Sequence, residues 1–124
     1  MDKKELLVSV IDDDESMRES LPDLLNEFGV AAHVFASALE FLASNDVGQT
    51  NCLILDISMP GMSGPQLKRE LGRRRLMTPV IFITGNRNEV LRSRMIDDGA
   101  VECLFKPFSD TALLQALSKA LSHR

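Results

Sequence analysis

The stretch LLVSVIDDD occupies residues 6–14 and places an apolar run directly before three aspartates. A short apolar run is typical of a strand that is buried on both faces of a parallel sheet. Carboxylates that lie close together repel one another, and the low dielectric near a protein core strengthens this repulsion. Because hard cations prefer oxygen ligands, the stretch predicts a cation site at the end of a buried strand.

Three further apolar runs end in a polar group that suits a metal ion or a phosphate. Asp56, Thr84 and Lys106 each follow such a run. Longer stretches of helical period separate the runs, which is the pattern of repeated strand–helix units. The carboxyl ends of parallel strands meet at one edge of a sheet, so we expect these side chains to lie together.

The alternation indicates an α/β fold of three layers, with helices on both faces of a five-stranded parallel sheet. The second predicted strand is the one that ends without such a polar group, so we place it at the edge. This predicts the doubly wound order 2-1-3-4-5 known from flavodoxin-like proteins, with the switch point between strands one and three. The predicted strands cover residues 6–11, 32–35, 52–55, 80–83 and 101–105.

Local signals predict where several helices begin and end. Residues 37–40 and 63–66 each read as a capping box, and Gly29 suits the end of the first helix. Asp14 is predicted to cap that helix, and not to bind metal. Pro22 lies inside it and should bend it or remove a hydrogen bond.

Length and composition indicate one domain over residues 1–124, since 44% of the residues are hydrophobic and 26% are charged. The net charge of −4 disfavours nonspecific nucleic-acid binding, and without Trp or Tyr no stacking platform for bases is evident. No signal peptide or membrane-spanning stretch is evident, so we expect a cytoplasmic protein. Cys52 and Cys103 fall in strands that another strand would separate, which predicts buried free thiols without a disulfide.

Four motifs, taken together and in this order, resemble the receiver domain of two-component response regulators, and FixJ-like receivers in particular. They lie at the ends of the predicted strands and span most of the chain. The motifs are Ile11-Asp12-Asp13-Asp14, Leu55-Asp56-Ile57-Ser58-Met59-Pro60-Gly61-Met62-Ser63-Gly64, Ile83-Thr84-Gly85 and Phe105-Lys106-Pro107-Phe108.

The resemblance implies roles for the acidic residues. Asp56 matches the aspartate that accepts a phosphoryl group from a sensor histidine kinase. Asp12 and Asp13 match the pair that holds Mg²⁺, together with Asp56 and the backbone carbonyl of Ser58. The domain is then not an enzyme towards other substrates, since it catalyses only its own phosphorylation and dephosphorylation.

Thr84 and Lys106 match the two residues that contact the phosphoryl oxygens, and the Lys106–Pro107 bond matches one that is often cis. The three carboxylates then balance the positive charges of Mg²⁺ and Lys106. A phosphoryl group adds negative charge that can draw Thr84 and its loop inward, which predicts a two-state switch.

The resemblance also implies partners. We expect the first helix to contact the sensor kinase. The helix predicted at 88–98, the strand at 101–105 and the last helix form the expected surface for an output domain or a second copy. Nucleic acid and membrane are not expected as direct partners. The chain is a single-domain regulator or the receiver half of a longer regulator, and the sequence leaves both open.

One position departs from the family pattern. Receivers usually carry an aromatic residue three positions before the lysine, where it swings inward on phosphorylation, and here that residue is Cys103. A small thiol cannot make the same rotamer switch. Phe105 lies on the same side of the predicted strand and is a candidate substitute.

Two other functions fit parts of the pattern. A Mg²⁺-dependent phosphohydrolase with an aspartyl-phosphate intermediate usually has a second aspartate two residues after the nucleophile, where this chain has Ser58. A flavodoxin-like cofactor binder would need a phosphate loop after the first strand, where the three aspartates would repel a phosphate. Both features favour the receiver.

Overall fold

The computed structural model describes residues 6–122 as five strands and five helices in strict alternation. The elements are β1 (Leu7–Ile11), α1 (Glu15–Phe28), β2 (Ala31–Phe35), α2 (Ala38–Ala43), β3 (Cys52–Asp56), α3 (Gly64–Arg73), β4 (Val80–Thr84), α4 (Glu89–Asp97), β5 (Glu102–Phe105) and α5 (Asp110–Ser122).

The strands form one parallel sheet in the order β2-β1-β3-β4-β5, as predicted. Ile11 pairs with Leu55, and Asp56 pairs with Ile83. The carboxyl ends of the three central strands therefore lie side by side at one edge of the sheet, at the switch point of the fold.

Apolar side chains cover both faces of the sheet, which is why every residue of β1, β3 and β4 is buried. One face packs against α2, α3 and α4, and the other packs against α1 and α5. Leu67 and Phe82 are buried on the first face, and Leu25 and Leu117 on the second. Burial of each such side chain contributes about 1.5–3 kcal/mol, so the two apolar layers hold the strand ends in place.

The strand bounds differ from the prediction by one residue in several places. β3 and β4 each extend one residue further, so Asp56 and Thr84 are the last residues of their strands. The reason is backbone pairing, which continues through both residues to the neighbouring strand. The predicted first and last strands each begin one residue too early, and the second begins one residue too late.

Three of the predicted helix ends are confirmed, both ends of α1 and the start of α3. The Asp14 carboxylate accepts a hydrogen bond from the Ser16 N–H and caps α1, and Gly29 ends that helix with φ of 104°. Ser63 and Gln66 form the complete capping box of α3. α1 continues through Pro22, which has no N–H to donate.

The capping box predicted for α2 is only half formed. Ser37 Oγ accepts from the Glu40 N–H at 3.1 Å, as predicted. The Glu40 carboxylate, however, accepts from the N–H of Ala36 at 3.2 Å, one residue before the cap. Ser37 and Ser63 are both extended, but φ is −153° at Ser37 and −77° at Ser63, and the Glu40 carboxylate meets the N–H of Ala36 and not that of Ser37.

Cys52 and Cys103 are buried free thiols, as predicted, and β4 lies between their strands. Among residues 6–122, no helix is long and apolar enough to cross a membrane.

The first residue of α3 must be small because the helix starts against the backbone of β3. A Cβ atom at Gly64 would lie 2.4 Å from the backbone oxygen of Asp56 and 3.0 Å from the Phe82 ring. The Gly64 N–H also donates to the Ile57 carbonyl at 2.9 Å, which fixes this approach. Gly72, in the same helix, has open space around the equivalent position.

These two glycines provide a matched test of the packing. We expect Gly64→Ala to lower the free energy of unfolding by about 1–3 kcal/mol, because helix or strand must shift to relieve the contact. We expect Gly72→Ala to raise it by up to about 1 kcal/mol, because alanine favours helix over glycine. Urea unfolding followed by circular dichroism measures both. Equal effects of the two substitutions would contradict the close approach.

Candidate functional site

The carboxyl edge of the sheet brings together the polar residues that the sequence singled out. Asp12 follows β1, Asp56 ends β3 and Thr84 ends β4, and all three are buried. Lys106 follows β5 and reaches the same edge. Residues that are far apart in the sequence, such as Asp12 and Lys106, thus lie together at one edge of the sheet, as predicted.

Three carboxylates form a compact acidic cluster, which is defined here as Asp12, Asp13 and Asp56. One oxygen of each lies within 4.8 Å of the others. Asp12 and Asp56 are buried, whereas Asp13 is exposed. Asp14 stays outside the cluster and acts as the helix cap.

Lys106 supplies the positive charge of the site. Its Nζ lies 2.8 Å from Asp12 Oδ2 and 3.7 Å from Asp56 Oδ2. Burial by itself lowers the pKa of Lys106, but the contact with Asp12 and the charge of Asp56 outweigh it, so the pKa is raised. The ammonium group is therefore firmly charged at neutral pH.

One lysine does not neutralise the acidic cluster. Burial raises the pKa of Asp56 to about 7, and the neighbouring Asp12 carboxylate acts in the same direction, despite the opposing effect of Lys106. The remaining negative charge makes the cluster suited to one more cation.

The buried carboxylate oxygens of Asp12 are suited to coordinate a cation. Its Oδ1 accepts a hydrogen bond from the Asp14 N–H at 2.9 Å. Its Oδ2 is fully buried and, apart from the ion pair with Lys106, has no hydrogen-bond partner among the described residues. Such an oxygen can coordinate a metal ion without breaking a hydrogen bond to the backbone, and three carboxylates are a donor set that hard cations prefer. The acidic cluster can hold a metal ion.

Thr84 connects the site to the loop that follows β4. Its Oγ1 accepts a hydrogen bond from the Asn86 N–H at 3.0 Å, and its backbone oxygen accepts from the Lys106 N–H at 2.7 Å. The Lys106–Pro107 peptide bond is cis. The hydroxyl and the ammonium group are thus carried by neighbouring strands whose backbones bond to each other.

Two residues of the site lie beyond what the sequence pattern indicated. Arg18 Nη1 donates to the backbone oxygen of Asp12 at 2.8 Å and ties α1 to the end of β1. Gly64 allows α3 to approach the Asp56 backbone. A glycine near the start of a predicted helix was a signal for the second, whereas nothing local pointed to Arg18. Ser58 is exposed in the loop after β3, and its role as a carbonyl ligand stays a prediction.

Cys103 is buried in β5 beside Phe82 of β4. Phe105 pairs with Thr84, and the Arg87 guanidinium lies 5.7 Å from the centre of its ring. The aromatic ring in this strand is therefore next to Thr84, two residues away from the position where receivers usually carry it.

Comparison with known proteins agrees with this geometry. The family model for the response regulator receiver domain matches residues 8–118. Nodulation protein W of Bradyrhizobium diazoefficiens is 42% identical over 114 residues, which cover 92% of this chain and 50% of that protein. The transcriptional regulatory protein FixJ of Rhizobium meliloti is 36% identical over 116 residues, covering 94% of this chain and 57% of FixJ. The chain spans about half the length of the curated relatives it matches.

Solved structures show the same fold. The crystal structure of FixJ-N superposes with a TM-score of 0.84 at 35% identity and covers 96% of this chain and 95% of that one. The response regulator StyR superposes with a TM-score of 0.86 at 39% identity, over 95% of this chain and 60% of StyR. Sequence, fold and acidic cluster agree, and the chain belongs to the response regulator receiver domain family of two-component signal transduction.

Proposed function

We propose that Asp56 is the phosphoacceptor of this receiver domain and that the donor is a phosphohistidine of a sensor histidine kinase. The observation that carries the proposal is the meeting of the acidic cluster with Lys106 at the switch point of the sheet. Asp56 lies at its centre, on the central strand, between the ends of β1 and β4.

The transfer is a displacement at phosphorus. A carboxylate oxygen of Asp56 forms the new O–P bond while the P–N bond to the imidazole breaks and its electron pair returns to nitrogen. The nucleophile must be ionised, and the Lys106 ammonium, 3.7 Å from Asp56 Oδ2, favours that form. Slow hydrolysis of the resulting acyl phosphate restores Asp56, so the chemistry is limited to this residue.

We assign Mg²⁺ as the metal ion, held by Asp12, Asp13, Asp56 and the backbone carbonyl of Ser58. The buried Asp12 Oδ2 and the excess negative charge of the cluster support this assignment. Bound Mg²⁺ would neutralise the repulsion between a carboxylate and an anionic phosphoryl group.

Thr84 and Lys106 are the proposed contacts to the phosphoryl oxygens. A hydroxyl and an ammonium group can donate hydrogen bonds to the new negative charge. Thr84 would then give up or weaken its bond to the Asn86 N–H, which moves the loop before α4. Phosphorylation thereby changes the partner surface.

We further propose that residues 1–124 form one cytoplasmic receiver domain that works through protein partners. α4, β5 and α5 offer the surface for an output domain or a second copy. α1 is the proposed kinase contact. It carries exposed carboxylates at every fourth residue, a charge pattern that suits a basic partner surface. These residues are Glu15, Glu19, Asp23 and Glu27.

The central test is phosphorylation of the protein with acetyl phosphate and Mg²⁺, followed by intact mass spectrometry. We expect the wild type and the control Asp97→Asn, which alters an exposed carboxylate of α4, to gain one phosphoryl group. We expect Asp56→Asn to gain none, because an amide is not a nucleophile here. Equal labelling of Asp56→Asn, or no labelling of the wild type, would refute the assignment.

The raised pKa of Asp56 also predicts a pH-dependent stability. In the absence of divalent cations the folded state keeps a proton on Asp56 up to about pH 7, whereas the unfolded chain loses it near its ordinary value of 3.8. Because the native state binds more protons in this window, stability falls as the pH rises through it. Because asparagine does not titrate, Asp56→Asn should not lose stability in this way as the pH rises.

In EDTA we expect Asp56→Asn to be more stable than the wild type by about 1–3 kcal/mol at about pH 8, with a smaller difference at about pH 5. Added Mg²⁺ should reduce the difference at the higher pH. Urea unfolding of both proteins, with Asp97→Asn as control, measures this. If the difference in unfolding free energy between the two proteins did not change with pH, the pKa of Asp56 would not be raised in the folded state.

A further inference from the structure

α4 is attached to the sheet with little apolar surface. Met95 is the one buried residue of this helix, and Leu91 is half-buried against the core. α1, α3 and α5 each bury two or more residues. Because apolar burial is the main attractive term in helix packing, polar contacts carry a larger share of the attachment of α4.

The main polar contact is made by Arg92. Its Nε donates to the backbone oxygen of Cys103 at 3.0 Å, and its Nη2 donates to Glu102 Oε1 at 3.1 Å. The same carboxylate oxygen accepts from the Cys103 N–H at 3.0 Å. We call this group the Arg92 clamp: the Arg92 and Glu102 side chains with the backbone of Cys103.

The clamp closes the outer edge of the sheet. β5 is an edge strand, and both backbone groups of Cys103 bond to side chains where a further strand would otherwise pair. Arg92 and Glu102 are 37% and 22% exposed, so the bonds are partly shielded from solvent. The contact uses the backbone of Cys103, so it does not depend on the size of this side chain.

The same helix begins next to the proposed phosphorylation site. Asn88 caps α4, and only Gly85, Asn86 and Arg87 separate it from Thr84. The Asn86 N–H bonds to Thr84 Oγ1. The Thr84 hydroxyl is therefore only a few residues from the first turn of α4, and Arg92 lies one turn after the Asn88 cap.

We propose that the Arg92 clamp is a latch that holds α4 against β5 in the unphosphorylated domain and opens when Asp56 is phosphorylated. This rests on the proposed function. When Thr84 turns to the phosphoryl group, the loop and the start of α4 move. The two bonds of the guanidinium group demand a fixed distance and angle, so a small shift of the helix breaks them. The output surface thereby changes although residue 103 is a cysteine.

The test combines phosphorylation by acetyl phosphate and Mg²⁺ with hydrogen–deuterium exchange of α4 and β5. In the wild type, phosphorylation should speed exchange in Glu89–Asp97 and in Glu102–Phe105. In unphosphorylated Arg92→Ala the exchange should already be about two- to five-fold faster, the size expected when the partly exposed ion pairs of Arg92 with Glu102 and, within α4, with Glu89 are lost. Phosphorylation should add little more. Arg94→Ala is the matched control, since Arg94 is exposed on the same helix and makes no ion pair within residues 6–122.

The level of phosphorylation provides a second measurement. A contact present only in the unphosphorylated state favours that state, so Arg92→Ala should raise the phosphorylated fraction at limiting acetyl phosphate, by about two- to five-fold. Glu102→Gln is a milder variant that keeps the fold and should act in the same direction. In the double variant the two effects should not add, because Arg92→Ala already removes the contact that Glu102→Gln weakens by removing its charge.

The outcomes separate the two proposals. If the wild type gains a phosphoryl group but Arg92→Ala and Glu102→Gln match Arg94→Ala in exchange and in phosphorylated fraction, the latch is refuted and the phosphoacceptor assignment stands. If the wild type gains no phosphoryl group, both proposals fail. Faster exchange in Arg92→Ala with an unchanged response to phosphorylation would reduce the clamp to a structural contact and also refute the latch.

Discussion

The repulsion among Asp12, Asp13 and Asp56 is the constraint on which the rest of the structure depends. Three carboxylates share a space less than 5 Å across, and two of them are buried. Lys106 offsets part of this charge through its contact with Asp12. The remaining negative charge suits the site to a cation, and under the proposed function it would be increased by an incoming phosphoryl group. When the charges of three carboxylates and one lysine lie this close together, one added charge can move the side chains around them.

The fold holds these charges together by packing on both sides of the sheet. The ends of β1, β3 and β4 are fixed by two apolar layers, and α3 begins so close to Asp56 that only glycine fits at its first position. The rigid side of the site thus comprises the strands and α3. The other side is built differently, since α4 has one buried residue, Met95, and contacts β5 through the Arg92 clamp. The proposed phosphorylation site lies between a firmly packed region and a helix with one buried residue, so the proposed switch would act on the α4 side.

Sequence reasoning recovered the strand order, the clustering of the four strand-end motifs and most helix caps. It placed Asp56 and Thr84 just after their strands, whereas backbone pairing makes them the last strand residues. It also expected a reciprocal capping box at Ser37, but Glu40 bonds to the N–H of Ala36. Such errors arise because hydrogen-bond partners at element ends depend on local backbone angles, which residue types constrain only loosely.

The sequence by itself determined the elements, their order and the chemical groups at the strand ends, because periodicity and residue type report directly on burial and on ligand chemistry. Only the tertiary structure decided which distant groups meet. Arg18 bonds to Asp12, and Arg92 bonds across to β5, although neither has a local motif. The raised pKa of Asp56 is likewise a property of the folded site. These features depend on distances of a few ångströms between residues far apart in the chain, and no pattern along one sequence encodes such distances.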